Sequence, residues 1–484
     1  MYAASSFMIK WKSIEKNING ERYMEQFLSK FDDILYTWCL IYLLAGAGIF
    51  FTIRTKFAQI RLLKDSVKWM FEKKGGKGIS SFQALMVATA SRVGTGNMAG
   101  VATAILLGGP GAAFWMWIMA IIGSSSAFVE STLAQIYKRK EGDTFKGGPA
   151  FYIERALHSR WLGIIFAISL IATFAFGFNG LQAYNIVSSL DYYFPNISST
   201  RVPLIVGAIL FVLVMFLFFA GTEKIGWLSS VLVPIMSGLY ILMALLVIIM
   251  NFGKIPEALS LIIKSAFDFK AIFGGMAGSC MVLGIKRGLF SNEAGMGSAP
   301  NASASAEVTH PVKQGLAQIV SVYIDTLMIC SATVFIVLLT GQYQNGAADG
   351  IPLIQQSVAS QFGPFAIHII TISVCLFAFT SILGNFFYAE ANILFITKNK
   401  AVMIIFKILA AVMVFVGANN NITVAWSLAD ITMGIEAIIN IIAITILSNI
   451  AVKALKDYEK KKKAGGEITF RESDIGLNNT DVWK

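Results

Sequence analysis

Apolar runs of about 18 to 25 residues recur along most of this chain, separated by short charged or glycine-rich stretches. Coiled as helices, such runs are long enough to cross a hydrocarbon layer about 30 Å thick. The pattern places spans near 34–53, 81–107, 112–137, 161–190, 203–220, 226–250, 270–287, 314–340, 365–396, 401–417 and 422–450. It predicts an all-α polytopic membrane protein with about eleven transmembrane helices. Composition agrees: 56% of residues are hydrophobic and 14% charged, with a mean hydropathy of +0.67. A soluble chain of this size needs more polar surface.

The net charge of +11 would point to nucleic acid in a soluble protein. Its placement gives a different account. Loop 54–78 holds Arg54, Lys56, Arg61 and Lys64, segment 138–160 holds Lys138, Arg139 and Lys140, and the tail holds Lys453 and Lys460 to Lys463. With eleven spans these fall on one side, and the alternate loops carry little more than Arg201, Lys254 and Lys264. The positive-inside rule then puts the C-terminus in the cytoplasm of a plasma (inner) membrane and residue 33 outside. Lys10, Lys12, Lys16, Arg22 and Lys30 fall on the outer side against the rule; a start at Met24 would remove most of them. No nucleic-acid partner is expected.

Within span 81–107 the helix pattern is interrupted by Gly94-Thr95-Gly96-Asn97, all poor helix formers. Opening a helix in hydrocarbon strands backbone N–H and C=O groups, so polar cargo is the usual reason to do it. Gly96 and Gly100 also form a GxxxG, which can serve close helix packing alone. Packing does not require the Thr and Asn. Five spans later, 270–287 carries Gly274, Gly275, Gly278 and Ser279 near its middle. Two interrupted spans five apart predict two five-span copies inserted in opposite directions. On this reading residues 1–33 are an outer-side tail and 34–53 a peripheral first helix. Residues 81–250 and 270–450 are the two repeats, and 451–484 a basic cytoplasmic tail, charged and expected to be disordered beyond 457.

In span nine, Thr380, Ser381, Gly384, Asn385 and Tyr388 recur at helical spacing, a polar stripe on an apolar helix. Span four offers Asn179, Gln182 and Asn185. Bulky Phe174, Phe176, Phe178 and Phe379 are candidate gates. Cys39, Cys280, Cys330 and Cys375 lie within spans at no metal-ligand spacing and read as buried free thiols. His158, His310 and His368 are scattered, and no Ser-His or paired-acid set supports a membrane enzyme. Glu293, a lone carboxylate, reads as a cap on a cytoplasmic loop.

The runs 94-GTGNMAGVA-102, 108-GGPGAAFWMWIMAIIG-123, 147-GGPAFYI-153 and 288-GLFSNEAGMGSAP-300 resemble, in order, the signatures of the alanine or glycine:cation symporter family. The resemblance implies a LeuT-like fold with a five-plus-five inverted repeat, and sodium-coupled uptake of small neutral amino acids by a monomer. Alanine and glycine lead, with glutamine and serine as further candidates. No cofactor is implied beyond sodium as the coupling ion. Carried over, Gly94, Thr95, Gly96 and Asn97 face the substrate carboxylate, Gly274 to Ser279 the ammonium, and Gln182 and Ser381 also bind substrate. Sodium would be held by carbonyls of Ala90, Val93 and Phe377 and hydroxyls of Thr380 and Ser381. Two residues depart from the family pattern. Asn385 replaces a common tryptophan, which would widen selectivity towards glutamine. Arg92 stands beside the first break; it either reaches water from its half-helix or pairs with Glu130, Glu293, Glu390 or Asp430. Coupling to protons instead of sodium, in the same fold, is the alternative.

Overall fold

The computed structural model describes residues 28–72, 79–142, 144–268, 279–344, 349–419 and 422–484. In chain order the main helices are Leu28–Arg54 (α1), Ser81–Arg92 (α2), Ala99–Gly108 (α3), Gly111–Ile136 (α4), Arg160–Ser188 (α5) and Val202–Ala220 (α6). They continue with Thr222–Met250 (α7), Cys280–Asn292 (α8), Ala299–Ser305 (α9), Pro311–Thr340 (α10), Phe365–Ile396 (α11), Lys400–Ala418 (α12) and Ile422–Ala464 (α13). Among the described residues nine helices are long and apolar enough to cross a membrane. The pairs α2/α3 and α8/α9 are shorter and interrupted.

The rim and the centre of the bundle divide by exposure. Along α6, Leu204, Ile205, Ile209, Val212 and Phe216 point outwards, as lipid-facing side chains must. By contrast α2 is buried on every side from Ala84 to Arg92, so its sequence is apolar or small all round. The first helix packs along α4 and is tied in near its N-terminal end, where Tyr36 Oη donates to the Asp430 carbonyl at 3.1 Å.

Among the described residues three long helices contain wide π-turns, Leu35–Leu40 within α1, Ala172–Phe178 within α5 and Tyr323–Cys330 within α10. Such turns free a backbone position from the regular ladder and cluster at functional sites.

The three basic segments read from the sequence lie on one face. Arg61 pairs with Glu459 at 2.5 Å, Lys462 with Asp65 at 2.5 Å, and Arg155 with Asp481 at 2.7 Å. The tail corrects the expectation of disorder. The α13 helix runs on to Ala464, and Phe470, Ile475 and Trp483 are buried against this face. Trp483 Nε1 donates to the Gln135 carbonyl at 2.7 Å. Three spaced apolar side chains among the charges are enough to anchor the segment. Two cysteines also differ from expectation: Cys39 is exposed on the lipid-facing side of α1, and Cys375 is only partly buried.

Among the described residues a helix opens at a place the sequence did not mark. Gly274, Gly275 and Gly278 lie outside the described residues. Ser279 is the N-cap of α8, its hydroxyl accepting from Val282 N at 3.2 Å. A Cβ on Gly108 would lie 3.2 Å from Cys280 Cα, so this cap sits at the end of α3 farthest from the first break. The described helix opens at 293–298, between α8 and α9, past the predicted span end at 287. Glu293 takes a left-handed conformation (φ 53°), and Gly295 and Gly297 have φ of +86° and +91°. At Gly297 a Cβ would also meet Pro149 at 2.7 Å, so both conformation and space demand glycine.

Candidate functional site

The first break is short and fully buried. After Arg92 the backbone leaves helical angles at Val93 (φ −80°, ψ 81°) and Gly94 (φ −123°, ψ −160°), makes one tight turn over Thr95–Asn97, and resumes as α3 at Ala99. Local polar groups satisfy what the opening exposes. Gly94 N donates to Asn97 Oδ1 at 3.0 Å, and Thr95 N to Gln182 Oε1 at 3.1 Å. Thr95 Oγ1 also donates to Gln182 Oε1 (2.8 Å) and accepts from Asn185 Nδ2 (2.7 Å). Gln182 and Asn185 therefore both serve the break. Asn179 lies on the same helix but turns to Asn385, accepting from its Nδ2 at 3.0 Å.

Asn97 ties the break to the second half of the molecule. Its Nδ2 donates to Asp325 Oδ1 (2.6 Å) and Ser291 Oγ (2.8 Å), and its carbonyl accepts from Thr333 Oγ1 (2.7 Å). Asp325 lies in the π-turn of α10 and also accepts from Ser291 (2.7 Å) and Thr326 (2.8 Å). The two breaks meet directly: Ser91 Oγ lies 2.8 Å from Glu293 Oε1 and 2.7 Å from Asn385 Oδ1, each able to accept from it. Ser298 closes Glu293 on its other oxygen at 2.6 Å. Glu293 thus sits at the opening of the second helix, fully buried, rather than capping an exposed loop. Glu130 of α4 and Asn440 of α13 hold the same opening. Asn440 Nδ2 donates to Glu130 Oε2 (2.8 Å) and to the Gly295 carbonyl (2.9 Å).

Helix α11 contributes Ser381, whose hydroxyl donates to the Ala90 carbonyl at 2.9 Å. A Cβ on Gly94 would stand 2.4 Å from that hydroxyl and 3.2 Å from the Gln182 amide nitrogen, so this glycine is what lets Ser381 and Gln182 approach the break. The Thr380 hydroxyl is spent on its own helix, at 3.0 Å from the Leu376 carbonyl and 3.1 Å from that of Phe377, and touches Met236 Sδ. Asn385 is fully buried between Ser91 and Asn179.

Arg92 does not reach water. It is 2% exposed, and its Nη1 donates to Gln318 Oε1 at 3.0 Å. Glu130, Glu293 and Asp325 surround it within electrostatic range. The other two candidate partners are engaged elsewhere: Glu390 with Lys407 at 3.2 Å, and Asp430 with Lys286 and Arg287.

On one side of the break, the ring of Phe290 covers Gly96 and packs at a tilt against Phe178 (centroids 4.5 Å) and Trp426 (5.2 Å). Above Trp426 lies the Arg287 guanidinium at 4.0 Å, bidentate to Asp430 at 3.1 and 3.2 Å. Lys286 adds a contact to Asp430 (2.8 Å) and another to Asp32 of α1. Phe174 and Phe178 belong to this aromatic group, whereas Phe176 and Phe379 are half-buried in a separate cluster. Asp325, Ser291, Lys286 and Arg287 went unread in the sequence. Their signal was ionisable or hydroxyl residues inside apolar runs, where each needs a partner.

The described part of the site is a buried polar cluster between two opened helices, built of amides, hydroxyls and backbone, with ionisable side chains at its edges. Among solved structures, the fold resembles that of MhsT in complex with L-phenylalanine, with a TM-score of 0.58 at 13% identity over 84% of this chain and 95% of that one. The protein therefore has the LeuT-like fold. The amino-acid carrier protein AlsT of Bacillus subtilis is 45% identical, covering 92% of this chain and 95% of its own. The probable sodium/glutamine symporter GlnT of the same organism is 43% identical over 96% and 97%. The family model described as the sodium:alanine symporter family matches residues 21–472. From the paired breaks to the matched length, the chain belongs to the sodium:alanine symporter family, and it is a transporter and not an enzyme.

Proposed function

We propose that this protein couples sodium entry to the import of a small neutral amino acid, alanine first, by alternating access around the two breaks. Family membership and the joined breaks support the reading; the observation that carries it is the meeting of Gly94–Asn97, Gln182 and Ser381 in one buried polar cluster. The backbone N–H groups at the head of α3 suit the substrate carboxylate, since a helix N-terminus carries partial positive charge. Gln182 and Asn97 position those groups. In place of the glycines at 274–278, the opening at 293–298 takes the role of the second broken helix, and Asp325 supplies negative charge beside it. The repeats then span 81–250 and 270–450, with α1 outside them and the tied-down tail in the cytoplasm. Glutamine stays a candidate because the GlnT relative carries it in its name.

The sodium donors fit the ion's chemistry. Ala90, Val93 and Phe377 carbonyls with the Ser381 hydroxyl are uncharged oxygens, suited to a cation released in every cycle. Ser381 bridges α11 to Ala90, and Thr380 lies one turn beyond Phe377. Sodium falling through 100 mV supplies roughly 2.3 kcal/mol, which sustains about fifty-fold accumulation. Because α2 contributes to both ion and substrate contacts, filling one arranges the other. The Arg287–Asp430 pair over Trp426 closes the chamber on the outer side.

Reconstituted protein should accumulate labelled alanine in liposomes when sodium is high outside, and stop when choline replaces it. Uptake that ignores sodium would overturn the reading. Ser381→Ala is expected to raise the sodium concentration for half-maximal uptake about tenfold, the worth of one lost oxygen ligand. Thr380→Ala should shift it less, since that hydroxyl is already bonded within its own helix.

A further inference from the structure

Between the outer ion pair and the second break lies a group with no part in the account so far. Glu436, in the middle of α13, is fully buried, and neither carboxylate oxygen has a hydrogen-bond partner. It stands one helical turn before Asn440 and so shares its face, directed at the second break. The charged groups facing it are both acids, Glu130 from α4 and Glu293 from the break. On its own helix, Asp430 is already paired with Lys286 and Arg287. The acids around the breaks differ from Glu436: Glu130, Glu293 and Asp325 each accept from side-chain or backbone donors.

From the π-turn of α5, the Thr173 hydroxyl faces Glu436. It donates its own proton to the Ser169 carbonyl at 2.9 Å, so it offers Glu436 only a lone pair. A carboxylate has nothing to give that lone pair, whereas a carboxylic acid does. An ionised Glu436 would be an unpaired charge in a dry interior beside two other acids. Sodium does not fit as its partner, because a cation of that kind needs a shell of converging oxygens and Thr173 provides one.

We propose that Glu436 is a proton-binding site, separate from the sodium site, that must be filled for the protein to close over its cargo. The proton comes from water when the chamber is open, forms an O–H bond on one carboxyl oxygen, and returns to water on opening. No other bond changes. The π-turn beside it is the natural place for the adjustment, since a π-turn can move by one residue without unravelling its helix.

This inference rests on the symporter reading, and sodium-driven alanine uptake as a function of pH tests it. In wild-type liposomes the rate should fall on the alkaline side by about tenfold per pH unit, as the protonated fraction does. Glu436→Gln, which keeps the neutral shape, should transport with a flat profile; a fall matching the wild type would overturn the site. Glu436→Asp should move the midpoint of the fall, and an unmoved midpoint counts against it. Should the glutamine variant not fold, infrared difference spectra of the wild type decide: a protonated-carboxyl band must vanish in step with uptake, and no such band overturns the proposal. Wild-type uptake that is level across pH sinks this inference alone. Absence of sodium-driven uptake at every pH sinks the symporter reading with it.

Discussion

Replacing Arg92 with leucine is expected to destabilise the folded protein by about 3–5 kcal/mol and to abolish uptake. Arg92 is the cation at the centre of Glu130, Glu293 and Asp325, and it is 2% exposed. Removing it leaves buried carboxylates without their counter-charge, and leaves Gln318 Oε1 without its donor. Each of those acids holds a moving part: Glu293 and Glu130 the second break, Asp325 the first through Asn97. The loss should therefore appear both as a lower unfolding midpoint in detergent and as lost transport. Arg92→Lys keeps the charge without the planar fork and should fall between. A leucine variant with wild-type stability would show that the acids do not depend on Arg92.

Gln182→Ala should weaken alanine binding about ten- to a hundred-fold while the protein stays folded. The Gln182 carbonyl oxygen is the shared acceptor for Thr95 N and Thr95 Oγ1, the groups that shape the head of α3. Without it two buried donors compete for the substrate space, at about 1–3 kcal/mol. Direct binding of labelled alanine in sodium, alongside thermal unfolding, separates the site effect from a folding defect. Unchanged affinity would remove Gln182 from the site. Asn185, which donates to the Thr95 hydroxyl, keeps the loop in place and explains why folding survives.

The break at Gly94–Asn97 was legible because its residues are wrong for a helix in hydrocarbon, whatever surrounds them. The opening at 293–298 was not read from the sequence, for an instructive reason. It uses Glu293, a residue with no helix-breaking reputation, with Gly295 and Gly297. Only the arrival of Ser91, Ser298, Glu130 and Asn440 makes that conformation tolerable. Asp325 was missed because it lies in a largely apolar run; besides the adjacent Thr326, its partners are Asn97 and Ser291, both distant in the chain.

Apolar run length, the alternation of charged loops and the first broken helix are properties of local composition, and the sequence alone determined them: a many-span helical membrane protein opened near mid-depth. Which polar residues meet, that Arg92 sits among acids rather than in water, that the tail is docked, and where the second helix opens were decided by tertiary structure. The physical reason is that a buried polar group is stable only beside its partner. Here those partners lie tens to hundreds of residues away, where no local pattern records them.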